Sequence, residues 1–430
     1  MAYKGDSANL HGGLLLISCA RLSASLLLTA VCAATPLAAQ QRRPRHHVTE
    51  AEVRAITRSA ILIDTHNDVT SRTVNGYDIA TPNTKAQTDL PRMKGYLGAE
   101  FFAVFVDASY VKDNHAAHRT LEMIDTVRHD IIARHPKDFL FATSADDILR
   151  AHRQHKIAGL MGIEGGHAIE DSLRLLRDYY ALGVRYMTLT HFNTNDWADS
   201  QGDINDPKVA HHNGLTPFGK DVVREMNRLG MMVDISHVAD KTFWDALETS
   251  SAPMIASHSS CRALTDYTRN MADEMIKALA AKGGVININF GCDFLSQTYW
   301  DKKKAIRPKM HEEFKKLRDI KDPEERDAKE DAIEEQLMAG TPRPTVADVA
   351  AHIDHAVQIA GIDHVGIGTD FDGVGPCVPK GVASYAEFPN LTRALLERGY
   401  TAVEIKKIYG GNMIAVMRKV ETEARKLQAK

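Results

Sequence analysis

The sequence has no surplus of charge of either sign. Fifty-three Lys and Arg stand against 56 Asp and Glu, a net charge of −3, so no nucleic-acid surface is expected. Long hydrophobic runs are scarce. Beyond the first forty residues none approaches the roughly 18 apolar residues that a membrane span requires. Thr401 to Lys430 ends polar, without the apolar tail of a GPI-anchor signal. Cysteine is sparse too. Of Cys19, Cys32, Cys261, Cys292 and Cys377, none has the spacing of a zinc-thiolate site. A disulfide between Cys261 and Cys292 is conceivable, and at least one remaining thiol reads as a small buried hydrophobe. No Gly-x-Gly-x-x-Gly phosphate loop follows an apolar run, which leaves a doubly wound open sheet without its main support. Histidine, by contrast, is plentiful, with 20 in the chain and several at the ends of apolar runs.

The first 39 residues read as a targeting segment. Arg21 precedes the apolar run Leu22 to Ala34, and Pro36-Leu37-Ala38-Ala39 follows. This order describes a secretory signal cleaved after Ala39, so an exported protein, periplasmic or secreted, is expected. Residues 40–49 read as a polar, flexible tail, and residues 50–430 as one domain. Within it, eight apolar, strand-like runs recur: Ile61–Asp64, Phe101–Asp107, Ala158–Ile163, Arg185–Thr190, Met231–Ser236, Met254–Ser257, Val285–Phe290 and Val365–Thr369. Helical periodicity fills the stretches Asp171–Leu182, Thr216–Leu229, Asp240–Thr249, Asp273–Lys282 and Val346–Ala360. Alternation of this kind predicts a parallel (β/α)₈ barrel of the TIM type. Late in the chain, about residues 299–345, a stretch dense in Lys, Glu and Asp predicts a helical insertion. Its composition suits a solvated excursion on the barrel surface, with a lid or a partner contact as the functional alternative.

In such a barrel the catalytic groups come from the C-terminal ends of the strands. The first run leads into His66 and Asp68, two residues apart and therefore on one side of an extended chain. Further runs lead into Glu164, His191, His237, His258 and Asp370. Any one of these alone is a hydrogen-bonded loop residue. Six strands of eight ending in a His or a carboxylate form a constellation. The set is too large for one tetrahedral zinc and suits two metals sharing a bridge, because each oxygen of a glutamate can hold one ion. Two such ions convert a shared water to hydroxide near neutral pH, which is hydrolase chemistry with Asp370 moving the proton.

Ile163-Glu164-Gly165-Gly166-His167-Ala168-Ile169, followed by Leu176, Tyr180, Gly183, Val184 and Arg185, is a long and specific pattern. With Asp64-Thr65-His66-Asn67-Asp68, Leu189-Thr190-His191, Asp234-Ile235-Ser236-His237, Ser257-His258-Ser259-Ser260, Arg269-Asn270 and Asp370-Phe371-Asp372-Gly373, it resembles the membrane (renal) dipeptidase family of zinc metallopeptidases, within the amidohydrolase-like barrels. The resemblance spans about residues 61–412. It implies two zinc ions, His66 and Asp68 on one, His237 and His258 on the other, with Glu164 as the bridge. It implies that His191 contacts substrate and the tetrahedral intermediate. Arg269 would hold the substrate's terminal carboxylate, and Asp370 would contact substrate and shuttle the proton. Dipeptides are the implied substrates and a homodimer the implied assembly. Other amidohydrolases with the same metal cluster, such as an N-acyl-amino-acid deacylase or a lactamase, are the alternative, and a binding protein on an inactive barrel is a further one. The insertion is longer than the family leads one to expect.

Overall fold

A computed structural model describes residues 47–84 and 86–430. The expected signal segment and most of the expected tail therefore lie outside the described residues. Among the described residues there are nine parallel strands: β1 (Leu62–Asn67), β2 (Leu97–Phe105), β3 (Phe139–Phe141), β4 (Ile157–Glu164), β5 (Val184–Thr188), β6 (Met232–Asp234), β7 (Ile255–Ala256), β8 (Val285–Ile288) and β9 (Val365–Ile367). Hydrogen bonding runs β2-β1-β9-β8-β7-β6-β5-β4, and β2 also pairs with β4, so eight strands close into a barrel. Each of the eight barrel strands is buried from end to end or nearly so, as apolar runs covered by an outer ring of helices must be.

The ninth strand, β3, pairs with the start of β4 (Phe139↔Ile157, Phe141↔Gly159), while β5 takes up β4 from Met161 onward. It was not expected because three residues are too few to show a period. The second strand begins earlier than its apolar run suggested, since Leu97 to Glu100 already pair with β1. Among the helices, Asp240–Thr249 and Val346–Ala360 match the expected bounds. The helix expected from Asp171 starts at Leu173 under a Ser172 cap. Helices Ala116–Asp125, Ala145–Arg153 and Phe388–Glu397 are additional. Among the described residues no helix is long and apolar enough to cross a membrane.

The charged insertion consists of two helices, Gln297–Lys315 and Pro323–Leu337. They are rich in charge and carry local ion pairs such as Lys329 with Glu325 at 2.7 Å, with few apolar residues to bury. The insertion is nevertheless anchored. Tyr299, Ile306 and Met338 pack with Cys292 and Cys377 in a separate small cluster, and Lys303 lies between Asp293 (3.4 Å) and Glu334 (3.0 Å). Cys292 is bonded to Cys377, 85 residues away. On loop-closure entropy alone such a bridge contributes about 4.5 kcal/mol. The conceivable Cys261–Cys292 bridge is therefore corrected: Cys261 is buried and free, with its backbone N–H donating to His352 Nδ1 at 3.1 Å.

Candidate active site and metal centre

All seven expected strand-end groups meet at the C-terminal mouth of the barrel. The Glu164 carboxylate lies at the centre. Its Oε2 is 3.4 Å from His66 Nε2, and its Oε1 is 2.9 Å from His237 Nε2, 3.3 Å from His258 Nε2 and 3.8 Å from His191 Nε2. On the Oε2 side, His66 Nε2 also faces Asp68 Oδ2 at 3.3 Å and Asp370 Oδ1 at 4.0 Å. The carboxylate is thus shared between two groups of potential ligands. Burial opposes the charge of Glu164, but His66, His191, His237 and His258 together outweigh it and hold the carboxyl well below its usual range. Burial likewise lowers His191, and strongly lowers His237 and His258. Burial also works against charging His66, yet Tyr186, Glu164 and Asp68 push it well up.

Buried partners fix which nitrogen of each ring faces inward. The Tyr186 hydroxyl donates to Thr65 O (3.0 Å), so at 2.7 Å it accepts from His66 Nδ1–H and leaves Nε2 to the site. Gly162 makes room for this tyrosine, since a Cβ there would stand 1.9 Å from the ring. Ser257 Oγ donates to Asp234 Oδ2 (2.6 Å) and so accepts from His258 Nδ1–H at 2.8 Å. Asp234 itself accepts from Thr188 Oγ1, Ser236 N and Ser257 N. Second partners of this kind set the tautomer and basicity of a metal-binding histidine.

The residues fit a metal. His66 Nε2 has no hydrogen-bond partner although fully buried. His237 Nε2 and His258 Nε2 stand 2.9 Å apart, both against Glu164 Oε1. His258 Nε2 carries a lone pair, so acceptors are crowded together, and a cation among them resolves the crowding. The groups His66–Asp68–Glu164 and Glu164–His237–His258 each present three ligand atoms within 4.8 Å of one another, as does His66–His258–Asp370. Nitrogen and carboxylate donors without thiolate suit zinc.

Two groups lie outside what strand-end reasoning finds. Arg269, on the loop after β7, is 3% exposed, and Nη2 reaches His258 O at 3.4 Å. Asn289, directly after β8, donates through Nδ2 to Asp370 Oδ2 at 2.7 Å. Burial pushes Asp370 well up, assisted by the charges of Asp68 and Glu164 and opposed by His66 and by Asn289. Its φ of 60° and that of His237, 69°, lie in the left-handed region, a cost that surrounding structure sustains at functional sites. Gly373 closes over the pair of carboxylates, and a Cβ there would meet Asp68 Oδ2 at 2.3 Å and Asp370 Oδ1 at 2.6 Å.

The family pattern described as membrane dipeptidase (peptidase family M19) matches residues 50–430. The chain belongs to this family. It is a metallo-dipeptidase, a hydrolase on an amidohydrolase-like barrel. The uncharacterized dipeptidase C965.12 of Schizosaccharomyces pombe (strain 972) is 33% identical over 408 residues, 90% of this chain and 87% of its own. Among solved structures, the probable dipeptidase PvdM from Pseudomonas aeruginosa gives a TM-score of 0.74 at 25% identity, covering 87% of this chain and 99% of that one. A metallo peptidase from Rhodobacter sphaeroides, liganded with a phosphinate mimic of the dipeptide L-Ala-D-Ala, gives 0.67 at 23% over 84% and 100%. That last likeness is one of fold.

Behind the candidate metal ligands, a buried tyrosine joins two buried carboxyls. The Tyr385 hydroxyl is 2.8 Å from Asp64 Oδ2 and 2.6 Å from Glu100 Oε2, and it accepts from Asn67 Nδ2 at 2.9 Å. One hydroxyl hydrogen serves only one carboxyl, so the other contact needs a proton on the acid. Burial pushes Asp64 up to about 6, and burial plus the charge of Asp64 pushes Glu100 well above the usual range. Glu100 therefore holds the proton, donating to Tyr385, which donates to Asp64. An unfolded glutamate releases its proton near about pH 4.3. The stabilisation is therefore complete below that pH and is lost as pH rises toward the folded value, at up to about 1.4 kcal/mol per pH unit. Glu100→Gln, which mimics the protonated acid, should fold and should lose less stability than the parent as pH rises above the range in which the unfolded glutamate titrates. Melting curves through and above that range check this, and superimposable pH profiles for the two proteins would place a charged Glu100 in the fold.

Proposed function

We propose that the chain is a two-zinc dipeptidase in which Glu164 bridges the ions. His66 and Asp68 complete one site, and His237 and His258 complete the other. When bound, the ion pair supplies Lewis acidity and makes a water nucleophilic near neutral pH. The observation that carries this reading is the division of the Glu164 carboxylate, with Oε2 toward His66 and Oε1 toward His237 and His258.

The remaining steps belong to the chain's own residues. Arg269 binds the substrate's C-terminal carboxylate. Its guanidinium is buried, Nε has no partner, and its two hydrogen bonds are both 3.4 Å long, so donors are left for a ligand that can accept two of them in parallel. His191, beside Glu164 and edge-on to Phe105 and Phe192, donates to the carbonyl oxygen as negative charge develops there. Asp370 takes the proton of the attacking water and returns it to the leaving amine. A clamp on the carboxylate favours free dipeptides over amides and over longer chains.

A substrate panel tests the reading. Zinc-loaded protein should cleave free dipeptides in preference to N-acyl amino acids, and the opposite preference would move the enzyme to the deacylases. The clamp has its own test. Arg269 contacts the carboxylate in ground and transition states alike, so Arg269→Ala should raise KM for a free dipeptide by about 10-fold to 100-fold, with a smaller change in kcat. The dipeptide amide should be affected far less. Arg269→Lys keeps the charge without the planar fork and should recover only part of the loss. Equal losses on acid and amide would refute the clamp.

A further inference from the structure

The insertion reaches the arginine through aromatic rings. Trp300, half-buried on the insertion helix Gln297–Lys315, stacks on Tyr267 with ring centroids 4.1 Å apart and planes at 29°. Tyr267, two residues before Arg269, meets Phe294 edge to face at 5.0 Å. Phe294 in turn lies under the Arg269 guanidinium, with Cζ 5.4 Å from the ring centre. The same helix holds the loop by its backbone, since Gln297 Oε1 accepts from Asp266 N at 2.6 Å. Asn270 ties the loop to the root of the insertion, donating to Thr265 O at 3.0 Å and to Phe294 O at 2.9 Å.

The hydrogen bonds of Arg269 do not account for its fixed position. Both are 3.4 Å long, to Ser259 Oγ and His258 O, at the weak end of the useful range. A buried guanidinium tethered so loosely is oriented mainly by what packs on its face, and an aromatic ring within about 6 Å supplies both packing and electrostatic attraction. Tyr267 packs against the edge of Phe294 and is itself stacked on by Trp300.

We propose that Trp300 is a positioning residue for substrate binding. By stacking on Tyr267 it holds Phe294, and through Phe294 it aims Arg269 at the substrate carboxylate. The charged insertion thereby contributes to the grip on dipeptides without touching the reacting atoms. The proposal rests on the reading of Arg269 as the carboxylate clamp.

The experiment compares Trp300→Ala, Trp300→Phe and Arg269→Ala on one dipeptide and its C-terminal amide, with zinc content measured for each. Trp300→Ala should raise KM for the free dipeptide by about 3-fold to 10-fold, the order a displaced cation–π partner produces, with kcat and zinc content little changed. The amide should be insensitive to the substitution. Trp300→Phe, which keeps a ring on Tyr267, should restore most of the affinity. In an Arg269→Ala background, Trp300→Ala should add nothing. If Arg269→Ala discriminates acid from amide while Trp300→Ala changes neither KM, the coupling is refuted and the clamp stands. If Arg269→Ala fails to discriminate, clamp and coupling fall together. A Trp300→Ala loss of equal size on both substrates, or one confined to kcat, also overturns the proposal.

Discussion

Glu164→Ala should abolish zinc binding at both positions and lower kcat/KM by about 10³-fold or more, the scale on which removing a preorganised electrostatic group acts. The expectation follows from how the carboxylate is shared. Its two oxygens lie within 3.4 Å of His66, His237 and His258, so in the proposed two-zinc site deleting it would remove a ligand from each half and also the anion that offsets the two cations. His66→Ala, in contrast, should empty mainly the half it shares with Asp68. Titration with zinc, followed by metal analysis of the dialysed protein, separates the cases. A Glu164→Ala protein that retains two tightly held ions would show that the carboxylate does not bridge. Glu164→Gln is the companion variant, because it keeps the volume beneath the imidazoles while losing the charge.

The barrel was legible because its strands are short apolar runs that change abruptly to polar residues at one end. That change occurs where the mouth begins, so Asp64-Thr65-His66 and Ile163-Glu164 announce a strand and its functional end together. The residues that orient the site were less legible. Tyr186 and Asp234 lie inside apolar runs, where a tyrosine reads as core and a lone aspartate as an irregularity. Their roles depend on contacts across the barrel, to His66 and to Ser257. Asn289 directly follows β8, a strand to which no candidate had been assigned, and an asparagine after a strand has too many ordinary uses to stand out. Arg269 sits in a loop without periodicity, and only the family resemblance singled it out. The Cys292–Cys377 pairing joins the loops after β8 and β9, a neighbourhood that exists only once the barrel has closed. Nor could the docking of the insertion be read from such charge-rich helices, because their anchors, Tyr299, Trp300 and Lys303, are ordinary residues in a charged stretch.

Asp370→Asn should lower kcat by about 10²-fold to 10⁴-fold, the usual worth of a positioned acid–base group, and change KM only a few-fold. Asparagine is the informative replacement. Residue 370 has φ 60°, a conformation that asparagine tolerates and alanine resists, so Asp370→Ala would mix a backbone cost with a chemical one. The amide keeps the size of the carboxylate and can still accept from Asn289 Nδ2, which donates to Asp370 Oδ2 at 2.7 Å, but it cannot carry a proton between water and amine. The proposed ligands His66, Asp68, Glu164, His237 and His258 remain, so zinc content should hold, and the proposed Arg269 clamp is untouched. The leaving group supplies a finer test. An aryl amine departs without full protonation, so an amino-acid anilide whose ring bears both a carboxylate and an electron-withdrawing group should lose less from Asp370→Asn than an ordinary dipeptide does. The residual loss would report removal of the proton from the attacking water. If kcat for the dipeptide stays within about threefold of the parent, far below the usual acid–base contribution, then Asp370 moves no proton and the step belongs to another group. If instead both zincs are lost, Asp370 acts as a ligand rather than as the proton carrier, in line with its distance of 4.0 Å from His66 Nε2.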